Sequence, residues 1–230
     1  DPALVFYHFD GDGSDATGRG NDLLVDPDYT EWVAGKYGSA LATKSWGVMR
    51  AGKTTGIVYP GSGDITVECW VQITAPNTNI VYLGDISPEF FLLAINNKNN
   101  ALFVLYDESG NASAVVSDPI DTWAKTGDWI HLAGIYREDG TLELYVNGRL
   151  AGRETASVRP LTSPESVLMI AEDQDYPEVY SVPLVIDEAR ISYAALQPGE
   201  FVGGEFTGTL DVTVTGGEAD SPVAGATDRK

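Results

Sequence analysis

Oxygen-bearing side chains crowd one short stretch near the start of the chain: Asp10, Asp12, Ser14, Asp15, Thr17, Asn21 and Asp22. Gly11, Gly13, Gly18 and Gly20 are interleaved with them, and glycine lets a backbone turn tightly and bring its carbonyls inward. A calcium ion takes about six to eight oxygens of these kinds. The spacing Asp10, Asp12, Ser14 matches the start of an EF-hand loop. The sixth position is Asp15 rather than glycine and the twelfth is Asn21 rather than glutamate, so the stretch is not an EF-hand. The alternative is an acidic turn without metal. Asp10 suits either a ligand or a turn cap, and Asp26 and Asp28, which flank Pro27, read as solvated.

A second chemical group is Glu172-Asp-Gln-Asp-Tyr-Pro-Glu178. Glu172, Asp173 and Asp175 offer acceptors for sugar hydroxyls, and Tyr176 offers a ring to stack on a pyranose. Trp46 and Trp123, also read as loop residues, extend that set, because aromatic rings present an apolar face beside a polar edge. The competing reading is a solvated edge loop. His8 and His131 are the only histidines, too few for a histidine-based metal centre. His131 reads as a packed, hydrogen-bonded residue. Cys69, the single cysteine, falls on the apolar phase of a strand and reads as packing.

The elements that must carry these groups are strands. In Ile65–Ile73, Ile65, Val67, Cys69, Val71 and Ile73 share one face, while Thr66, Glu68, Trp70 and Gln72 share the other, which predicts a half-buried strand. Trp129–Arg137 and Thr141–Asn147 flank Glu138-Asp139-Gly140 as a hairpin. Asn147-Gly148 supplies a tight turn into Arg149–Glu154. Phe90–Ile95 and Ala101–Tyr106 flank an asparagine-rich turn. Val5–Phe9, Val167–Ala171 and Leu184–Ile191 are further strands. Helical signals are scarce, and the best is a short turn near Tyr193–Phe201, interrupted by Pro198. Many short strands separated by Gly, Asn and Asp turns predict an all-β, two-sheet antiparallel sandwich. Gly203-Gly204 marks a boundary, so residues 1–206 are expected as one domain. Residues 207–230 are expected as either the start of a further immunoglobulin-like module or a tail strand.

Composition narrows the function classes. Lys plus Arg is 14 and Asp plus Glu is 34, a formal net charge of −20. Phosphate binding needs clustered cations, so nucleic acid and anionic lipid are not expected partners. No apolar run approaches the roughly 20 residues of a membrane helix, so no membrane insertion is expected. The sequence opens at Asp1 without Met and reads as a mature or trimmed chain.

Several segments, in order, resemble a known family. They are Leu4-Val-Phe-Tyr-His-Phe-Asp10 with Asp15-Ala-Thr-Gly-Arg-Gly-Asn21, Trp32-Val-Ala-Gly-Lys-Tyr-Gly-Ser-Ala-Leu41, and Ile65-Thr-Val-Glu-Cys-Trp-Val71. They continue with Trp129-Ile-His-Leu-Ala-Gly-Ile-Tyr136, Leu142-Glu-Leu-Tyr-Val-Asn-Gly148 and Ile186-Asp-Glu-Ala-Arg-Ile191. The chain resembles laminin-G-like, concanavalin A-like domains, from about Leu4 to Phe201. The resemblance implies a jelly roll. It also implies a structural calcium ion held by Asp15, Asn21 and carbonyls at Gly18 or Arg19, completed by Asp187 on the closing strand. Asp187 sits in an apolar strand and is expected to have a cation or Arg190 as partner.

The fold does not fix an activity. The leading expectation is a non-catalytic, carbohydrate-binding module of a secreted or cell-surface protein. The enzyme alternative, a glycoside hydrolase or polysaccharide lyase, is less well supported. Retaining jelly-roll hydrolases use Glu-x-Asp-x-x-Glu, whereas here Gln174 and Pro177 occupy the third and sixth positions counted from Glu172. The lyases need a basic, tyrosine-rich cleft. The third alternative is an architectural or adhesive domain with a protein partner.

Overall fold

The structure is a computed structural model that describes residues 2–44, 49–51, 61–74, 80–86, 91–120, 125–160, 167–170 and 184–204. Trp46, Trp123, the Glu172–Glu178 loop and the segment 207–230 lie outside the described residues.

Strands β1 (Ala3–Tyr7), β2 (Leu23–Leu24), β3 (Thr30–Ala34), β4 (Ser39–Thr43) and β5 (Met49–Ala51) come first, followed by β6 (Ile65–Gln72), β7 (Ile80–Ile86), β8 (Phe91–Ile95), β9 (Asn100–Tyr106) and β10 (Ala112–Pro119). Then come β11 (Trp129–Tyr136), β12 (Thr141–Val146), β13 (Arg149–Thr155), β14 (Val167–Ile170), β15 (Val185–Ser192) and a short 3-10 turn, Pro198–Glu200. They form two antiparallel sheets. The first has the order β13-β12-β11-β6-β15-β4-β3, with β1 also paired to β15, and the second has β10-β9-β8-β7-β14-β5-β2. This is the expected all-β sandwich.

Period-two alternation places one set of side chains between the sheets. Val67, Cys69, Val71, Leu132, Leu142, Leu144, Ile186 and Ile191 from the first sheet meet Phe91, Leu93, Phe103 and Leu105 from the second. At Gly134 a Cβ would fall 2.2 Å from the Phe103 ring, so glycine there lets the sheets close. The turns follow the sequence: Asn147 and Gly148 both have positive φ, 49° and 71°, as a two-residue hairpin turn requires.

One expectation is corrected. The second face of β6 is not half exposed: Thr66 and Glu68 are 0% exposed and Trp70 is 5%. The segment after β15 folds back over the outer face of the first sheet. Leu196 and Phe201 pack there against Ala133, Ile135 and Tyr145 as a second apolar cluster. The Thr66 hydroxyl donates to the Ala194 carbonyl (2.6 Å) and accepts from the Leu196 N–H (3.1 Å).

Candidate functional site

The acidic N-terminal loop is closed by its own donors. Asp15 Oδ1 accepts from the backbone N–H of Phe6 (3.2 Å), the N–H of Thr17 (3.0 Å) and the Thr17 hydroxyl (2.7 Å). Asp15 Oδ2 accepts from the Asn21 N–H (3.3 Å) and the Asn21 amide (3.2 Å). Burial alone would raise this carboxyl, but those donors hold it below the usual carboxylate range. Tyr7 ties the loop down by donating to the Asn21 carbonyl at 2.6 Å. Gly18 has φ +72 and Arg19 is exposed.

Asp187 lies elsewhere in the hydrogen-bond pattern. Its Oδ2 accepts from the Tyr37 N–H (3.0 Å) at the tip of the β3–β4 hairpin. Its Oδ1 is buried and has no hydrogen-bond partner among the described residues. Burial, together with the adjacent Glu188 charge, pushes Asp187 up to about 7. Glu188 is also raised, by burial first and by Asp10, while His8 opposes that shift from 3.0 Å. Asp10 Oδ1 accepts from the Ser39 N–H of the same hairpin (2.8 Å). Asp15 with Asn21, and Asp187 with Asp10, thus belong to separate hydrogen-bond sets. Among the described residues no group of three or more His, Cys, Asp or Glu is arranged to hold a metal ion. Asp26 and Asp28 are exposed, as expected.

Arg190 is not the partner of Asp187. Between Asp187 and Arg190 the closing strand carries a bulge, with Asp187 opposite Trp70 and Arg190 opposite Glu68. Glu188 takes φ +51 there. The extra residue turns Asp187 and Arg190 onto the same outer face, and Arg190 reaches Glu68. Glu68 Oε1 accepts from Arg190 Nε (2.7 Å) and from its Nη2. Glu68 Oε2 meets His131 Nε2 (2.9 Å) and accepts from the Val202 N–H (3.0 Å). Burial would raise Glu68, but His131 and Arg190 keep it below its ordinary value. Trp70 donates to the Val202 carbonyl (3.0 Å), and Phe201 stacks on His131 at 5.2 Å. His131 is therefore a packed, bonded residue of the fold.

A further cluster had no counterpart among the sequence expectations. Glu143, 2% exposed, accepts at Oε2 from Arg137 Nε (3.2 Å) and Nη2 (2.9 Å). At Oε1 it accepts from Arg153 Nε (2.9 Å) and Nη2 (2.5 Å). Counting back from the Asn147-Gly148 turn would place Gly152 opposite Glu143. A bulge between Leu144 and Tyr145 instead sets Glu143 opposite Arg153. The alternating Thr141–Asn147 strand with Arg on both flanks was the available signal, and the bulge hid it.

A family model described as the concanavalin A-like lectin/glucanases superfamily matches residues 50–201. The chain belongs to that superfamily. The Asp10–Asp22 loop lies outside the matched stretch. Among solved structures, the binding domain of Paraclostridial Mosquitocidal Protein 1 superposes with a TM-score of 0.70 at 12% identity, covering 86% of this chain and 50% of that one. The binding domain of botulinum neurotoxin serotype D gives 0.68 at 16% identity, covering 85% and 48%. A serotype D ligand-binding domain in complex with N-acetylneuraminic acid gives 0.64 at 15% identity, covering 85% and 48%. At these identities the likeness shows the fold. The chain spans about half the length of those binding domains. No curated protein sequence matches it.

Proposed function

We propose that the chain is a non-catalytic glycan-binding module of an exported or cell-surface protein. The observation that carries the reading is the use made of the buried acids. Of the five buried acids among the described residues, Glu68, Glu143 and Asp15 are each saturated by donors of the fold itself, while Asp187 and Glu188 are neighbours in sequence on the closing strand, where Glu188 meets His8. Hydrolysis of a glycosidic bond needs two carboxyl groups facing a shared cleft, about 5–10 Å apart. Acids already holding arginines or loop amides are poor candidates for that work. The superfamily includes lectins by its own description, and a fold neighbour is a binding domain in complex with a sialic acid.

A structural calcium ion is the second part of the proposal. The unpartnered Asp187 Oδ1 supports a cation at the β15 end of the hairpin, with Asp10 beside the same hairpin. Backbone carbonyls or water would supply the remaining oxygens. Asp15, already saturated, fits the role of ordering its loop better than that of a ligand, and Asn21 gives both its backbone and its side-chain N–H to Asp15.

The test is an immobilised glycan panel, run with calcium and with chelator, beside a depolymerisation assay on soluble polysaccharides. Binding to a subset of glycans without release of reducing ends or unsaturated products is the expected result. Turnover of any polysaccharide would replace the binding reading with the enzyme reading.

A further inference from the structure

Two arginines hold one buried carboxylate, where a single arginine would neutralise it. Taken alone, Arg137, Arg153 and Glu143 carry one surplus positive charge, with Asp64 and Asp139 acting on the Arg137 side, in a chain whose formal net charge is −20. Each guanidinium has five N–H donors. Both arginines spend their Nε and Nη2 edge on Glu143. Neither Nη1 group has an acceptor among the described residues. The side chains of Arg137 and Arg153 remain 28% and 56% exposed. Glu143 thus acts as a jig: it fixes two guanidiniums side by side and leaves their outer donors facing solvent.

The surroundings suit a sugar that bears an acid group. Glu143 stands on the outer face of the first sheet beside Tyr145, which packs with Leu196 and Phe201 under the closing segment. The fork therefore stands on the same sheet face as that buried cluster, with the Tyr145 hydroxyl 3.5 Å from Glu143 Oε2. Carboxylates and sulfates pair with arginine through two parallel bonds, which adds geometric selectivity to charge. The overall negative charge of the chain does not forbid this, since at physiological salt fields beyond roughly 8 Å are screened.

We propose that Arg137 and Arg153 form an oxyanion-binding fork that selects glycans carrying a carboxylate or sulfate group. The proposal rests on the glycan-binding reading above and names the ligand class and the site.

The test uses the full chain and isothermal titration calorimetry with three probes: lactose, 3′-sialyllactose and 3′-sulfolactose. Arg153→Gln is the chief variant, because Glu143 keeps Arg137 and the buried charge stays paired. Arg137→Gln is the second variant, and melting curves verify folding of both. The wild type is expected to bind at least one acidic trisaccharide about tenfold or more tighter than lactose. Each variant should lose that preference, so that the acidic trisaccharide binds no tighter than lactose does to the same variant. The two acidic probes separate a carboxylate from a sulfate ligand. No preference for acidic probes, or a preference that survives both variants, overturns the fork. If neutral members of the glycan panel still bind, the glycan-binding reading stands without it. If no glycan binds at all, that reading falls as well.

Discussion

Glu68 and Glu143 are near twins in chemistry and opposites in setting. Both lie on the outer face of the same sheet, both are buried, and both meet two cationic or potentially cationic side chains. Glu68 is roofed by the closing segment, and its partners close a loop of contacts. Arg190 also donates to the Glu200 carbonyl, and the Val202 N–H donates to Glu68 itself. Glu143 has no such roof over its arginines. A buried carboxylate must be paired, and leaving it or its partner alone is costly. Around Glu68 that need is met by groups that also pin the chain end, and Arg190 is only 15% exposed. Around Glu143 two arginines share the task, and both remain partly exposed, at 28% and 56%. Burial of the acid is the same in both places; what differs is whether the cations are covered.

The largest effect that would break this contrast is at Glu68. Glu68→Ala strands Arg190, takes the Glu68 carboxylate away from His131 Nε2 against Phe201, and removes the acceptor for Val202. The expected loss is about 3–5 kcal/mol, the range for breaking one partner of a buried pair. Urea unfolding followed by tryptophan fluorescence measures it. A loss below about 1 kcal/mol would mean that the roofed network does not hold the closing segment.

A smaller effect concerns the third acid of this face, Asp187. Its carboxyl is raised to about 7 from an ordinary 3.8. In that window the folded state holds a proton that the unfolded state has released. Stability from this group is therefore full below about pH 4 and is lost as pH rises through about 7. Melting curves in chelator from pH 5 to pH 8 should show a decline that Asp187→Asn reduces, and at pH 8 the variant should melt above the wild type by a few degrees. Glu188, shifted in the same direction, leaves a residual decline. Adding calcium at pH 8 should raise the wild-type melting temperature and leave Asp187→Asn unmoved. An identical calcium response in both proteins would remove Asp187 from any calcium site.

Much of the fold was legible in the sequence. Alternation in Ile65–Ile73, the Asn147-Gly148 turn and the ordered family segments marked strands, hairpins and a sandwich, because each is a local consequence of backbone geometry. The core side of β6 was legible for the same reason. Its second side was not: Thr66, Glu68 and Trp70 are polar or amphipathic and read as half exposed. Their burial depends on residues 193–204 folding back across the sheet, a contact between Glu68 and Val202 that no local pattern encodes. The Glu143–Arg153 and Glu68–Arg190 pairs were hidden by the two bulges, each of which shifts a strand by one residue and so changes which side chains share a face. The Asp15 loop was recognised as a nest of oxygens. That the donors to Asp15 come from Phe6, Thr17 and Asn21 depends on how the loop closes onto β1.

The most direct measurement is a paired comparison of Arg190→Ala and Arg153→Ala by denaturant unfolding under one set of conditions. Each removes one arginine from a buried glutamate of the same sheet face. Arg190→Ala deprives the roofed Glu68 of its only arginine among the described residues, and should cost about 3–5 kcal/mol. Arg153→Ala leaves Glu143 paired with Arg137 and removes a half-exposed cation, so it should cost less than about 1 kcal/mol. That outcome assigns Arg190 to the fold and frees Arg153 for a ligand. Equal losses in the two variants would contradict the account, because Arg153 would then be as structural as Arg190.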